Sequence, residues 1–206
     1  HGLFVDTAFT AGKQPDVCPD TKAAIAHLAT LTVDSPEIQQ LIKHLVAKHV
    51  ALTSTLPVFE TFVPGRAPQD ARVLDAMLPP ARVEYLKTRE RVATMKGSPW
   101  PQVFQLEMAF EHAFVQAGGT LLAGLDPTGY GGVIAGYGDQ REVELLVEAG
   151  FTPVQAIRIA TLNGARFMGA DKEIGSIDVG KAADLVLVKG NPAQNISDIE
   201  NVSLVF

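Results

Sequence analysis

Thr120-Leu-Leu-Ala-Gly-Leu-Asp126-Pro-Thr-Gly-Tyr-Gly-Gly132 is an apolar run that stops at a carboxylate and passes into a glycine-rich loop. A strand with no polar alternation is covered on both faces, as in parallel α/β sheets. In such sheets the chemistry gathers at the carboxyl ends of the strands. Asp126 is therefore the first catalytic candidate. Its competitor is a plain turn, since Asp-Pro also starts turns for local reasons.

The elements on either side repeat the pattern. Upstream, Ser35-Pro36 reads as a cap followed by proline at the first helical position, and Ile38, Leu41, Ile42, Leu45 and Val46 then recur at helical spacing. Val50-Ala-Leu-Thr-Ser54 follows as a short β-prone run. Residues 56–100 are proline-rich, with helical stretches near Asp70 to Leu78 and Ala81 to Thr94, and read as an insertion over the active-site face. A helix is predicted from about Pro101 to Gln116, stopped by Gly118-Gly119, and it leads into the strand ending at Asp126. Downstream, a helix near Asp139 to Ala149 ends at Gly150, and Thr152-Pro-Val-Gln155 has the residues of a capping box. After Gly169 the turn-rich Ile174 to Gly180, a strand at Ala183–Val188 and the strand-like Asn201–Phe206 read as a small β appendage short of partner strands.

Charge and composition exclude other classes. The net charge is −6 and no basic cluster occurs, which argues against nucleic acid or an anionic membrane as the main partner. No apolar stretch reaches membrane-spanning length. The single cysteine, Cys18, excludes an internal disulfide and a cysteine-rich metal site. His27, His44, His49 and His112 form neither His-x-His nor His-Glu-x-x-His spacing.

Gly175-Ser-Ile-Asp-Val-Gly-Lys-Ala-Ala-Asp-Leu-Val-Leu-Val-Lys-Gly-Asn-Pro192, preceded by Ala156-Ile-Arg-Ile-Ala-Thr-Leu-Asn-Gly-Ala165, resembles the C-terminal signature of the amidohydrolase superfamily. The resemblance is nearest to the branch of imidazolonepropionase and the metal-dependent prolidase-like peptidases. Leu122 to Asp126 then resembles the end of barrel strand eight, with Leu125 where the family more often has a small hydroxyl residue; Val50 to Ser54 resembles strand seven, and His1-Gly2 the His-Gly that closes strand six. The implied fold is α/β: the C-terminal part of a (β/α)8 TIM barrel over 1–168, holding strands six to eight and the 56–100 insertion, plus part of a β-sandwich over 169–206. The family's strand-one His-x-His, strand-four lysine and strand-five histidine have no counterpart, so the upstream half of the same barrel is an expected partner. A homo-oligomer is the other way to complete it, and the chain alone is expected to aggregate through open strand edges.

The resemblance implies a hydrolase of amide, peptide or cyclic-amide C–N bonds using one or two divalent ions, zinc first. Asp126 would touch the metal and shuttle the proton, and His1 would ligate metal or contact substrate. Ring-amine deamination by the same machinery is the alternative, and an inactive binding or structural fragment is the third reading. Substrate, a small molecule or short peptide, would meet Thr53 and Ser54 after strand seven and Tyr130, Tyr137 and Arg141 after strand eight. Arg141 is suited to clamping a carboxylate in bidentate fashion, with a surface ion pair as its ordinary fate. Glu60 would reach the site from the insertion or remain a loop charge. Gly129, Gly131 and Gly132 read as a flexible loop, since no phosphate-loop Lys or Ser accompanies them, and Asp184 as a turn residue.

Overall fold

The computed structural model describes residues 14, 16–17, 20–127 and 130–206. His1, Cys18 and Gly129, and with them the expected end of strand six, lie outside the described residues.

Helices α1 (Thr21–Leu28) and α2 (Pro36–Ala47) precede strand β1 (Ala51–Ser54). Proline opens α2 as expected, but Ser35 does not cap it: its Oγ accepts the Thr32 N–H at 3.0 Å instead, serving the preceding turn. The insertion contains α3 (Leu56–Glu60), α4 (Ala71–Ala76) and α5 (Pro79–Ala93). The Asp70 carboxylate caps α4 by accepting the Val73 N–H at 3.1 Å. The long helix α6 (Trp100–Gln116) returns the chain to strand β2 (Thr120–Ala123).

β1 and β2 pair in parallel, with Leu52 opposite Leu121 and Ser54 opposite Ala123. Side chains alternate along each strand. Leu121 and Ser54 are buried, while Thr53 is exposed on the other face. The apolar layers lie on the helix side. Phe104 and Met108 of α6 pack with Leu121, Leu145 and Leu146; Val103, Leu106, Phe110 and Phe114 pack with α1 and α2 through Leu28, Ile38 and Ile42. One helix therefore serves two cores, each fully buried Leu or Phe contributing roughly 1.5–3 kcal/mol. At its end Gly118 takes a φ of +94°, and the Gly119 N–H reaches the Phe114 carbonyl at 2.9 Å.

Strand β2 is shorter than the sequence implies. It stops at Ala123, not Asp126, because Gly124 donates the last ladder bond, to the Ser54 carbonyl at 2.8 Å, and the chain then turns. Helix α7 (Tyr137–Glu148) follows, its start fixed by Gly136, whose N–H is held by the Asp139 carboxylate at 2.7 Å. Helix α8 (Pro153–Arg158) carries the expected Thr152–Gln155 capping box. It continues through a π-helical turn (Ile159–Asn163) into α9 (Gly164–Phe167), and Asn163 Nδ2 donates to the Leu121 carbonyl of β2 at 2.9 Å.

In the C-terminal segment, expected to be part of a β-sandwich, the described residues form β3 (Val186–Val188), a 3₁₀ turn (Ile196–Glu200) and β4 (Val202–Val205), with β3 and β4 as a two-stranded antiparallel pair. Val186, Leu187, Leu204 and Val205 are all more than half exposed. Ile196 and Ile199 tie the segment to the main core. No helix among the described residues is long and apolar enough to cross a membrane.

Candidate functional site

Asp126 stands just past the carboxyl end of β2, half-buried, with a φ of +50°. Left-handed backbone is uncommon outside glycine, and Asp and Asn tolerate it best. Beside the turn, a Cβ on Gly124 would lie 2.5 Å from the Thr53 methyl group and 3.1 Å from the Ser54 carbonyl. Only glycine lets β1 and the start of this turn approach so closely. The fold thus brings Thr53 beside the segment that leads to Asp126.

The other candidates fall elsewhere. Ser54 points to the helix side: it is fully buried and its hydroxyl donates to Glu111 Oε2 at 2.8 Å. Tyr130 lies on the insertion, its hydroxyl donating to the Thr61 carbonyl, its ring stacked 5.8 Å from Tyr85 and edge-on to Phe62 at 6.2 Å. Tyr137 opens α7 with the Arg72 guanidinium 6.0 Å from its ring centre. Arg141 has the bidentate carboxylate partner its geometry suits, and that partner is Glu60: Nε to Oε2 is 3.0 Å and Nη2 to Oε1 2.7 Å, while Nη1 reaches Glu144 at 2.8 Å. Burial disfavours that charge, but the carboxylates outweigh it and hold Arg141 protonated more firmly than usual. Tyr137, Arg141, Glu60 and Glu144, with Arg66 and Arg72, line a cavity of about 450 Å³ between α7 and the insertion. Asp126 does not line it.

Sequence reading missed two buried polar groups. One is a set of carboxylates, Glu107 and Glu111 on α6 and Glu142 on α7, each at most 4% exposed. Burial pushes Glu107 up to about 7 and Glu142 up to about 8. Glu111 is raised well above the ordinary value by burial and by the neighbouring Glu142 and Glu107 charges. Glu142 Oε2 accepts the Leu56 N–H at 3.0 Å, whereas Glu142 Oε1 and Glu107 Oε2 have no hydrogen-bond partner among the described residues. The signal was present: Leu106-Glu107 and Phe110-Glu111 put acids on the apolar face of the helix. The other is Arg89 of α5, 5% exposed, which serves backbone carbonyls rather than a carboxylate. Nothing in its local sequence distinguishes it from its charged neighbours.

Among the described residues no three His, Cys, Asp or Glu side chains converge as a metal-holding group. A catalytic zinc site needs three protein ligands. Asp126 has the chemistry of one of them and the described residues do not supply the set.

Residues 114–206, which include β2, Asp126 and everything after, match the sequence profile of the Amidohydrolase family. Over these residues the chain is similar to the amidohydrolase family. The 5'-deoxyadenosine deaminase of Methanobrevibacter smithii is 41% identical over 58 residues, 28% of this chain and 13% of that protein. The imidazolonepropionase of Parabacteroides distasonis is 53% identical over 38 residues, 18% of this chain and 9% of that protein. A crystal structure of a Xaa-Pro dipeptidase with methionine bound in its active site superposes with a TM-score of 0.55 at 22% identity, over 89% of this chain and 40% of that one. The chain thus spans less than half the length of each of these proteins. At this identity the superposition shows the fold alone, an α/β piece of an amidohydrolase barrel, and it extends beyond the 114–206 sequence match.

Proposed function

We propose that this protein hydrolyses a C–N bond, with the Asp126 carboxylate as the group that accepts a proton from the attacking water and hands it to the departing nitrogen. The observation that carries the reading is the placement of Asp126: a carboxylate in a left-handed turn at the carboxyl end of a parallel strand, inside the segment matched by the amidohydrolase profile. A carboxylate at that point can take the proton and return it in the second half of the reaction, which an amide cannot. Thr53, on the exposed face of β1 beside Gly124, would meet the substrate.

A divalent cation, zinc first, would supply Lewis-acid polarisation of the substrate carbonyl and a bound water whose pKa falls from 15.7 towards about 7. Asp126 would be one of its oxygen ligands, and His1 a nitrogen ligand or substrate contact. Dipeptides, N-acyl amino acids and cyclic amides are the first substrates to try. Ring-amine deamination is the second reading, favoured by the identity to the M. smithii deaminase. The two separate on one panel. Full-length protein is incubated with dipeptides, cyclic imides and purine nucleosides, and new amino groups, the carboxylate formed on imide ring opening, and free ammonia are measured. Cleavage without ammonia supports amide hydrolysis, and ammonia from the nucleosides supports deamination. Full activity in Asp126→Asn would refute the role given to this carboxylate in both.

A further inference from the structure

The loop that follows Asp126 is fastened to the insertion, and the fastening is built around a buried cation. Arg89 Nη1 donates to the Thr61 carbonyl at 2.7 Å and to the Tyr130 hydroxyl at 3.3 Å, and Nη2 donates to the Arg66 carbonyl. Tyr130 in turn donates to the Thr61 carbonyl, so that a single backbone oxygen receives both the guanidinium and the phenol. The Tyr130 ring lies between Tyr85, stacked at 5.8 Å, and Phe62. Two residues on, Gln69 Nε2 donates to the Gly132 carbonyl at 2.8 Å, and a Cβ on Gly132 would sit 2.6 Å from the Tyr85 ring. Val133 then enters the main core.

Arg89 makes no ion pair among the described residues and its Nε has no partner there. An uncompensated buried cation costs several kcal/mol unless hydrogen bonds satisfy it. Packing α5 against the core would be served better by an apolar side chain, so the guanidinium is retained for what it holds. It holds two carbonyls of the insertion and the one phenol of the loop, a forked arrangement that an ammonium cannot reproduce.

The near end of the same segment is pinned by the Gly124–Ser54 ladder bond and the far end at Tyr130, Gly132 and Val133. Asp126 and its +50° φ fall between the two anchors. We propose that Arg89 and Tyr130 are positioning residues that clamp the loop to the insertion and thereby hold the Asp126 carboxylate where it acts. The insertion, far from being a passive cover, is on this view the loop's mechanical support. The claim rests on the reading of Asp126 given above, and its test keeps the two apart.

Three variants of the full-length protein are compared: Tyr130→Phe, which keeps the ring and removes the hydroxyl, Arg89→Lys and Arg89→Met. Amide hydrogen exchange of residues 124–136 is measured together with kcat and KM. Exchange in that segment should rise about tenfold in Tyr130→Phe with α2 and α8 unchanged. kcat should fall about tenfold or more with KM within about twofold, since misplacing a reacting group by about 1 Å can cost 10²-fold. Arg89→Lys should not restore either. Should Arg89→Met fail to fold, Tyr130→Phe still decides. Unchanged exchange in Tyr130→Phe overturns the clamp whatever the activity, and raised exchange with unchanged kcat overturns its positioning role. If the protein has no C–N hydrolase activity, the functional reading fails while the exchange arm still judges the clamp.

Discussion

Replacing Glu107 by glutamine should change how the stability of the fold depends on pH. Glu107 is 2% exposed on the apolar face of α6, and burial moves it from the ordinary 4.5 up to about 7. A carboxyl raised in the folded state binds its proton more tightly there than in the unfolded chain. Its contribution is therefore complete below about pH 4.5 and is lost as pH rises through about 7. Each tenfold change in proton affinity corresponds to about 1.4 kcal/mol, so ionising Glu107 inside the fold costs on the order of 3 kcal/mol. That is a large share of a net stability of about 5–15 kcal/mol. Glu111 and Glu142 act in the same direction, because both are raised by burial, and the Glu142 and Glu107 charges raise Glu111 further. Glutamine has nearly the same shape and cannot ionise. Its buried amide protons carry their own desolvation cost, but that cost is the same at every pH. The informative quantity is thus the difference between wild type and Glu107→Gln across pH, not its value at one pH. Urea melts at pH 5, 6, 7 and 8 should show the variant gaining on wild type as pH rises, by on the order of 3 kcal/mol over the range. A difference that stays flat from pH 5 to 8 would refute the reasoning, because it would mean that Glu107 ionises as easily in the fold as in water.

Further outcomes are expected. Asp126→Asn should keep the fold, because asparagine also tolerates the +50° φ, and should lower kcat by about 10²–10⁴; circular dichroism and kinetics on one preparation check both. Gly119→Ala should destabilise by about 1–3 kcal/mol in a urea melt, since the new methyl would lie 2.3 Å from the Phe114 ring, itself fully buried. Glu60→Gln removes the charge that Arg141 grips at two points and should cost about 1–3 kcal/mol by thermal melting, less at high salt.

Much of the architecture was legible because it rests on local chemistry. The proline-led α2, the glycine-stopped α6 and the Thr152–Gln155 box are each set by residues within a turn of one another. The two strands were legible one by one, Val50–Ser54 as a short β-prone run and the stretch from Thr120 as an apolar run bounded by a helix stop and a turn, but their pairing was not. The failures have physical reasons too. Strand β2 ends at Ala123 because hydrogen bonding to β1 runs out there, and pairing partners are not written in one strand's sequence. Ser35 is drawn to Thr32 rather than to the helix it precedes, a choice between two local bonds of similar worth.

The site divides along the same line. Sequence by itself determined which residue types are at hand: a carboxylate after an apolar strand, a glycine-rich loop behind it, and a C-terminal signature that resembles the amidohydrolase family. Tertiary structure decided what those side chains face. It turned Ser54 to the helix layer and left Thr53 exposed beside the turn, spent the fork of Arg141 on Glu60, and set Tyr130 against Arg89 across 41 positions of chain. Alternation along a strand assigns two faces without saying which is covered, and a guanidinium finds its acceptors through space; both depend on elements distant in the chain, whose meeting only the packed core determines.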